Sequence, residues 1–252
     1  MSWHECYDLI KQYVVKIETP QGFGTGFLFA LNREGTVAAI ATALHVVEEA
    51  NNWRQPIKLR QHGGTQEVFI THDQRAVLID YKRDSAAITV VSGHLQLPGA
   101  FLPLMAKGKI KKVGVPVGWV GYPALAPANL CFFEGSISAF VGDDDSYFID
   151  GVAINGVSGG PVFADRGEKG PELVGIISAY FANVQQRGTL PGLLKAHDVT
   201  HLHHAIEAIK SVDEARAAAE EAKSEQQAAS TAGSEPSPPK LPASRRGRKR
   251  SA

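Results

Sequence analysis

Asn155-Gly156-Val157-Ser158-Gly159-Gly160-Pro161-Val162-Phe163 is the stretch on which the reading of this chain turns. A serine stands among glycines, a proline follows, and apolar residues lie beyond it. Glycine has no Cβ, so the backbone turns sharply here and a substrate can approach the main-chain N–H groups. A serine held in such a turn presents its hydroxyl outward, while nearby amides face a developing oxyanion. Gly/Ser clusters also serve as plain turns. The functional reading therefore needs a base and a carboxylate from elsewhere in the chain.

Outward from this turn the sequence reads as short strands. Residues 14–19 are β-rich and stop at Pro20. Residues 23–30 and 36–42 form a hairpin across the polar turn Asn32-Arg33-Glu34-Gly35. Residues 57–60, 67–70, 76–79 and 86–91 follow, separated by turn signals. A second series comprises residues 114–121, 135–141, 147–154, 161–163 and 173–181. Short strands at regular spacing argue for an all-β sandwich or barrel. The lack of strand–helix alternation argues against a doubly wound sheet. Residues 2–13 read as a short helix with Leu9, Ile10 and Tyr13 on one side. After Asp198, residues Val199, Leu202, Ala205, Ile206, Ile209 and Val212 recur at helical spacing behind an Asp198 or Thr200 cap. Residues 215–229 favour a helix but lack a strong apolar face, so they are expected to be solvated. From Ser230 the Ser/Pro/Gly-rich, basic composition reads as disorder.

The 252 residues suffice for one large domain or two small ones. Apolar and charged fractions of 44% and 21% are ordinary for a soluble globular protein. No apolar run is long enough to span a bilayer, and the first residues lack a basic segment followed by an apolar one. A cytoplasmic location is the expectation, or a nuclear one in a eukaryote, with no membrane partner. Cys6 and Cys131 are the only cysteines. Two isolated thiols make no disulfide framework, which favours a reducing compartment. The net charge of zero conceals an asymmetry. From Ser230 onward six basic residues (Lys240, Arg245, Arg246, Arg248, Lys249, Arg250) face only Glu235, so the preceding residues are net acidic.

Three segments carry candidate chemistry. Thr42-Ala43-Leu44-His45-Val46-Val47 sets a lone histidine behind an apolar strand. Arg83-Asp84-Ser85-Ala86-Ala87-Ile88 sets an aspartate directly before another, with Asp80 as its rival. Ser158 sits in the glycine turn. Each alone also fits a structural role, a satisfied histidine or a turn aspartate. Together, in the order His, Asp, Ser, they supply a nucleophile, a base and an orienting carboxylate.

With these motifs in view, the sequence resembles the trypsin-like peptidases of the chymotrypsin superfamily, in their compact, disulfide-free, bacterial-type form. Gly24-Thr25-Gly26-Phe27, Thr42 to Val47, Asp84-Ser85-Ala86-Ala87-Ile88, Val120-Gly121-Tyr122-Pro123 and Gly156 to Pro161 carry the resemblance. It implies an all-β fold of two six-stranded antiparallel β-barrels with a C-terminal α-helix and the active site in the cleft between the barrels. The parts would be an arm at residues 1–13, barrels at 14–97 and 98–197, a helix at 198–229 and a basic disordered tail at 230–252. Ser158 would attack a peptide carbonyl, His45 would relay the proton, and Asp84 would fix the His45 tautomer. The N–H groups of Gly156 and Ser158 would form the oxyanion hole. Val157 stands where zymogens of the superfamily carry an acid that pairs with a newly cut N-terminus, so activation of that kind is not expected.

By the same resemblance Val152 would form the base of the substrate pocket, and Ser178, Ala179 and Tyr180 one wall. With no acid at Val152, the cleaved side chain is expected to be small or medium and apolar. The chemistry needs no cofactor and no metal. The partners are a protein or peptide substrate and a regulatory or substrate-delivering protein. The alternative is a latent or non-catalytic peptide-binding module on a protease fold.

Three rival motifs are weaker. Gly156-Val157-Ser158-Gly159-Gly160 also satisfies the G-x-S-x-G elbow of α/β-hydrolases, which requires a helix after the serine. Residues 22–26 mimic a nucleotide loop, but a strand follows them. His197, His201, His203 and His204 cluster without a cysteine or carboxylate partner, so capping or solvation is expected rather than a metal. The basic run at residues 245–250 reads equally as a solubilising tail or as a nuclear-targeting or nucleic-acid patch.

Overall fold

The computed structural model describes residues 1–152, 154–185 and 188–232. Met1–Ser211 form one compact unit, and the residues from Val212 onward form a second. Helix α1 (Trp3–Ile10) opens the chain behind a capping box. The Glu5 amide donates to Ser2 Oγ at 3.3 Å, and the Ser2 amide donates to the Glu5 carboxylate at 2.7 Å. The helix buries Cys6 and Ile10. A 3₁₀ turn, Lys11–Tyr13, leads into the first sheet.

Seven antiparallel strands build that sheet: β1 (Val14–Thr19), β2 (Gly22–Leu31), β3 (Val37–Ala43), β4 (Ile57–Gln61), β5 (Glu67–Ile70), β6 (Arg75–Asp80) and β7 (Ser85–Val91). Their order is β5-β4-β1-β2-β3-β7-β6. The expected chymotrypsin-like architecture is present, with one correction. The first half has seven strands rather than six and is not closed by hydrogen bonds. A 3₁₀ turn at His72–Gln74, boxed by Thr71, separates β5 from β6 and leaves each at a sheet edge.

The second half is a closed barrel of six antiparallel strands. They are β8 (Pro116–Gly121), β9 (Cys131–Val141), β10 (Ser146–Asp150), β11 (Pro161–Asp165), β12 (Pro171–Gln185) and β13 (Gly188–Asp198). Strand β13 has no counterpart in the sequence reading, whose last strand ends at Phe181. It nevertheless pairs with both β10 and β12 and so closes the barrel.

Two helices complete the description. Helix α2 (Leu44–Asn52) follows β3 directly and carries the histidine that the sequence placed merely behind a strand. Helix α3 (Thr200–Ala232) begins in the first unit and continues in the second. It takes in the first residues of the expected disordered tail, and the rest of that tail, including 245–250, lies outside the described residues. No helix among the described residues is long and apolar enough to cross a membrane. Both cysteines are free thiols.

One continuous apolar core runs through both halves, and Trp119, Tyr147, Phe27 and Phe163 are fully buried in it. Each such side chain contributes on the order of 2–3 kcal/mol by its removal from water. The two halves meet at the glycine turn. The Thr25 amide on β2 donates to the Ser158 carbonyl at 2.8 Å, and Thr25 Oγ1 donates to the Gly156 carbonyl at 2.8 Å.

Candidate active site

Sheet register brings the histidine to the aspartate. Strands β3 and β7 pair from Val37↔Val91 to Ala43↔Ser85, so the residues just beyond that last pair meet at the sheet's end. Helix α2 starts there with Ala43 at its N-cap, and Ala43 has no side chain to cap with. Asp84 supplies the cap from across the sheet. Its carbonyl accepts the Leu44 amide at 2.9 Å, and its Oδ1 accepts the His45 amide at 3.0 Å. A carboxylate is favoured there, because unpaired N–H groups give a helix N-terminus a partial positive charge. The other oxygen, Oδ2, accepts His45 Nδ1–H at 2.8 Å and Ser178 Oγ–H at 2.6 Å. Asp84 thus grips both the backbone and the ring of His45.

Electrostatics agree with an ionised Asp84. Burial pushes its carboxyl upward, but the hydrogen bonds from the His45 ring and Ser178, the His45 charge and the His45 amide outweigh it. They hold the group below the usual carboxylate range. Because an ionised carboxylate only accepts, His45 carries its proton on Nδ1. That leaves Nε2 as the lone-pair nitrogen of the neutral ring.

Ser158 sits between two cavities. One, of about 250 Å³, is lined by Thr19, Gln21, Gly22, Phe23, His45, Val46, Asn155, Gly156 and Ser158. The other, of about 260 Å³, is lined by His45, Ile154, Asn155, Ser158, Ile177, Ser178, Ala179 and Tyr180. His45 and Ser158 therefore share both walls. In this resting arrangement Ser158 Oγ–H donates to the Ser178 carbonyl at 3.5 Å.

The turn around Ser158 requires glycine at two points. Gly156 has φ +93°, and a Cβ there would lie 2.3 Å from the Tyr122 carbonyl. Gly159 has φ +85°, and a Cβ would lie 2.0 Å from the Thr25 carbonyl. A side chain at either would strain the backbone and clash with main-chain atoms that cannot move. Among the described residues, the amides of Gly156 and Ser158 have no acceptor, whereas those of Val157, Gly159 and Gly160 are all bonded within the protein. Two free N–H groups beside a serine hydroxyl suit a developing oxyanion. Val157 is fully buried, in keeping with an apolar rather than an acidic residue at that position.

The remaining expected pocket residues divide. Ser178, Ala179 and Tyr180 line the second cavity. Tyr180 is fixed there, its hydroxyl accepting the Gly192 amide at 2.7 Å. Val152 does not line either cavity and is 58% exposed, and Ile154 and Ile177 stand in the wall instead. Strand β10 ends at Asp150, two residues earlier, so Val152 lies beyond the barrel wall. The chain after the serine is a strand, β11, rather than a helix, which removes the α/β-hydrolase elbow. The histidine cluster is divided among separate partners. His197 lies on β13 and donates to the Asp144 carbonyl, and His203 donates to the Met105 carbonyl. His201 pairs with the Ser85 hydroxyl. Among the described residues, no three His, Cys, Asp or Glu side chains form a metal-binding group.

Residues 24–176, a span that contains His45, Asp84 and Ser158, match the trypsin-like peptidase domain family. The chain belongs to that family. It is thus a serine protease by class, built on the two-part trypsin-like fold. Solved structures agree on the fold. A serine endoprotease from Yersinia pestis superposes with a TM-score of 0.61 at 18% identity, covering 83% of this chain and 66% of that one. An inactive form of Rv3671c from M. tuberculosis superposes with a TM-score of 0.56 at 20% identity, covering 81% and 89%. No curated protein matches in sequence.

Two functional contacts of this trypsin-like site escaped the sequence reading. Ser178 was singled out as pocket wall, but its hydroxyl also holds Asp84. Thr25 was singled out as a landmark, but it also ties the glycine turn to the first sheet. Their partners lie 94 and 131 positions away along the chain, so no local signal marks them.

Proposed function

We propose that this chain is a serine endopeptidase working through His45, Asp84 and Ser158 by an acyl-enzyme. The observation that carries the reading is the double grip of Asp84 on His45, amide and ring together, beside a serine that shares both cavity walls with that ring. Ser158 Oγ attacks the substrate carbonyl while His45 Nε2 takes its proton. The Gly156 and Ser158 amides bind the oxyanion. The imidazolium, stabilised by Asp84, then returns the proton to the leaving amine, and a water molecule repeats the sequence to release the acid. Removing one oxyanion donor from such a site costs about 3–4 kcal/mol of transition-state stabilisation.

The cavity walls favour a small or medium apolar side chain before the cleaved bond. Ile154, Ile177 and Ala179 are apolar, and Tyr180 is held in the wall by the bond from the Gly192 amide to its hydroxyl. None of the cavity's lining residues is acidic, so a lysine or arginine has no counter-charge there. The apolar part of its lining comes from Ile154, Ile177 and Ala179, and Val152 stands outside it. The physiological substrate is a protein or peptide, delivered or licensed by a second protein.

One observation favours a latent resting state. The Ser158 hydroxyl is turned to the Ser178 carbonyl, and among the described residues it makes no hydrogen bond to His45. Substrate or a partner would then complete the nucleophile–base contact, which tightens on complex formation in many enzymes. A fluorophosphonate probe applied to the full chain tests both readings. Labelling that is lost in Ser158→Ala and His45→Ala marks an assembled resting site. Labelling only in the presence of a peptide or protein substrate marks a latent one. Folded protein that labels neither alone, nor with substrate, nor with a binding partner defeats the peptidase reading.

A further inference from the structure

We propose that His201, on helix α3, is a positioning residue for Asp84, acting through the hydroxyl of Ser85. The argument begins with the backbone of Asp84. Its φ is +44°, in the left-handed region that most residues with a Cβ avoid and that aspartate enters when its side chain is hydrogen-bonded locally. A residue held there persists only when its surroundings over-determine it. Asp84 is held in that conformation by its own bonds to Leu44, His45 and Ser178 and by the anchoring of its two chain neighbours.

Both neighbours are held in part by the β13–α3 junction. On one side, Arg83 pairs with Asp80 Oδ2 at 2.8 Å and with Asp145, and its Nε lies 3.5 Å from Asp198 Oδ1. Asp198 also accepts the Thr200 amide at 3.0 Å and the Thr200 hydroxyl at 2.7 Å, so the start of α3 and Arg83 share one carboxylate. On the other side, Ser85 is fully buried and His201 is 5% exposed, and His201 Nδ1 lies 2.8 Å from Ser85 Oγ. The Asp84 turn is thus clamped between Asp198 and His201, two residues from the β13–α3 junction. Neither lines a substrate cavity.

The contact has a chemical requirement. Ser85 Oγ is sealed from water, so losing its partner leaves a buried hydroxyl unpaired, and the β7 end that carries Asp84 is then free to shift. Because β3 and β7 are paired up to Ala43↔Ser85, a shift there moves the α2 N-terminus and His45 together. Displacements of about 1 Å at such a constellation cost up to roughly a hundredfold in rate. His201 touches neither substrate nor reacting atoms, so its effect passes wholly through geometry.

This inference rests on the reading of His45 and Asp84 as the working pair, and the test uses two readouts so that the two ideas fail separately. The full-length chain is compared with His201→Ala, His201→Asn, His201→Gln and Ser85→Ala. The first readout is the rate and affinity of fluorophosphonate labelling. The second is the downfield proton resonance of His45 Nδ1–H, assigned by its loss in His45→Ala, which needs no reactivity. The expected result is a roughly ten- to hundredfold slower labelling step for His201→Ala and Ser85→Ala, with probe affinity unchanged and the resonance shifted or broadened. His201→Asn, whose amide reaches the Nδ1 position, restores both signals, whereas His201→Gln, which reaches only Nε2, does not. The double variant His201→Ala with Ser85→Ala is no worse than either single one, because both remove one contact. If His201→Ala does not fold, the Asn/Gln pair and Ser85→Ala carry the comparison. Wild-type labelling and resonance in His201→Ala, equal rescue by Gln, or additive losses each overturn the proposal. A wild-type chain that shows the resonance but labels neither alone nor with substrate or a binding partner defeats the peptidase reading alone, and the resonance then decides the role of His201.

Discussion

The hydroxyl of Thr25 joins the two halves of the molecule beside the candidate site. Thr25 is fully buried. Its Oγ1 donates to the Gly156 carbonyl at 2.8 Å and accepts the Tyr122 amide at 3.0 Å, while its own carbonyl accepts Thr42 Oγ1–H at 2.7 Å. One residue therefore ties the glycine turn to β2 and to the end of β8 through its side chain, and to the strand leading into His45 through its carbonyl. Thr25→Val keeps the shape and removes the hydroxyl, leaving one buried acceptor and one buried donor unpaired. The expected loss is about 2–4 kcal/mol of stability, read from urea midpoints, with slower fluorophosphonate labelling because Gly156 is no longer held. Thr25→Ser keeps the hydroxyl and should lose only about 1 kcal/mol, the value of a buried methyl. Equal destabilisation by Val and Ser would show that packing, not hydrogen bonding, holds this joint. At this scale the sequence pointed to His45, Asp84 and Ser158, and the fold bonds the first two together and sets His45 and Ser158 on shared cavity walls. The sequence was silent where a common residue acts through a distant partner, as Thr25, Ser178 and His201 do.

Among the elements, the strands with alternating or β-branched runs were legible and those shaped by long-range pairing were not. Helix α2 was missed because its cap is Asp84, 41 positions beyond the local N-cap Ala43, so no Ser, Thr, Asp or Asn stands at the N-cap position itself. Strand β13 was missed as well, and Pro191 and Gly192 punctuate it. The junction from β13 to α3 carries two buried histidines with a common consequence for pH. Burial lowers the His197 pKa, and the nearby Lys195 charge adds to this, against Asp144 and Asp84, which raise it. Burial likewise lowers that of His201, with His204 and Arg83 adding to it and Asp80 opposing. Both rings are therefore held neutral in the folded chain at a pH where the unfolded chain takes up protons. Between the lowered folded values and about pH 6.5, the ordinary histidine value, the unfolded state binds more protons, so stability rises with pH. This contribution is complete above about pH 6.5 and is lost as the pH falls below it. Urea midpoints between about pH 5 and 8 should show that decline, and His197→Asn, which keeps a donor near Asp144 but does not titrate, should flatten it. An unchanged slope in His197→Asn would assign the decline to other groups.

For the molecule as a whole, the organisation into two sheet halves and a C-terminal helix followed from strand spacing and from the order of His, Asp and Ser. The number of strands in the first half did not, because closure depends on how the edges β5 and β6 face each other, and no residue pattern encodes that. The division at Ser211 was only partly legible, in the loss of an apolar face after Val212. Before that division, α3 contributes Leu202 and Ala205 to the core and His201 to the Asp84 turn. Beyond it, the helix is Ala-, Glu-, Lys- and Gln-rich and its described side chains are mostly exposed. Truncation after Ser211 should therefore change the urea midpoint by less than about 0.5 kcal/mol equivalent, as for surface changes in general, and should leave fluorophosphonate labelling within about twofold, a free-energy difference near 0.4 kcal/mol. If the second unit delivers substrate, the same truncation slows cleavage of a native protein substrate while a short peptide is cut at the full rate. Equal rates on both substrates would show that the residues from Val212 onward have no part in delivery.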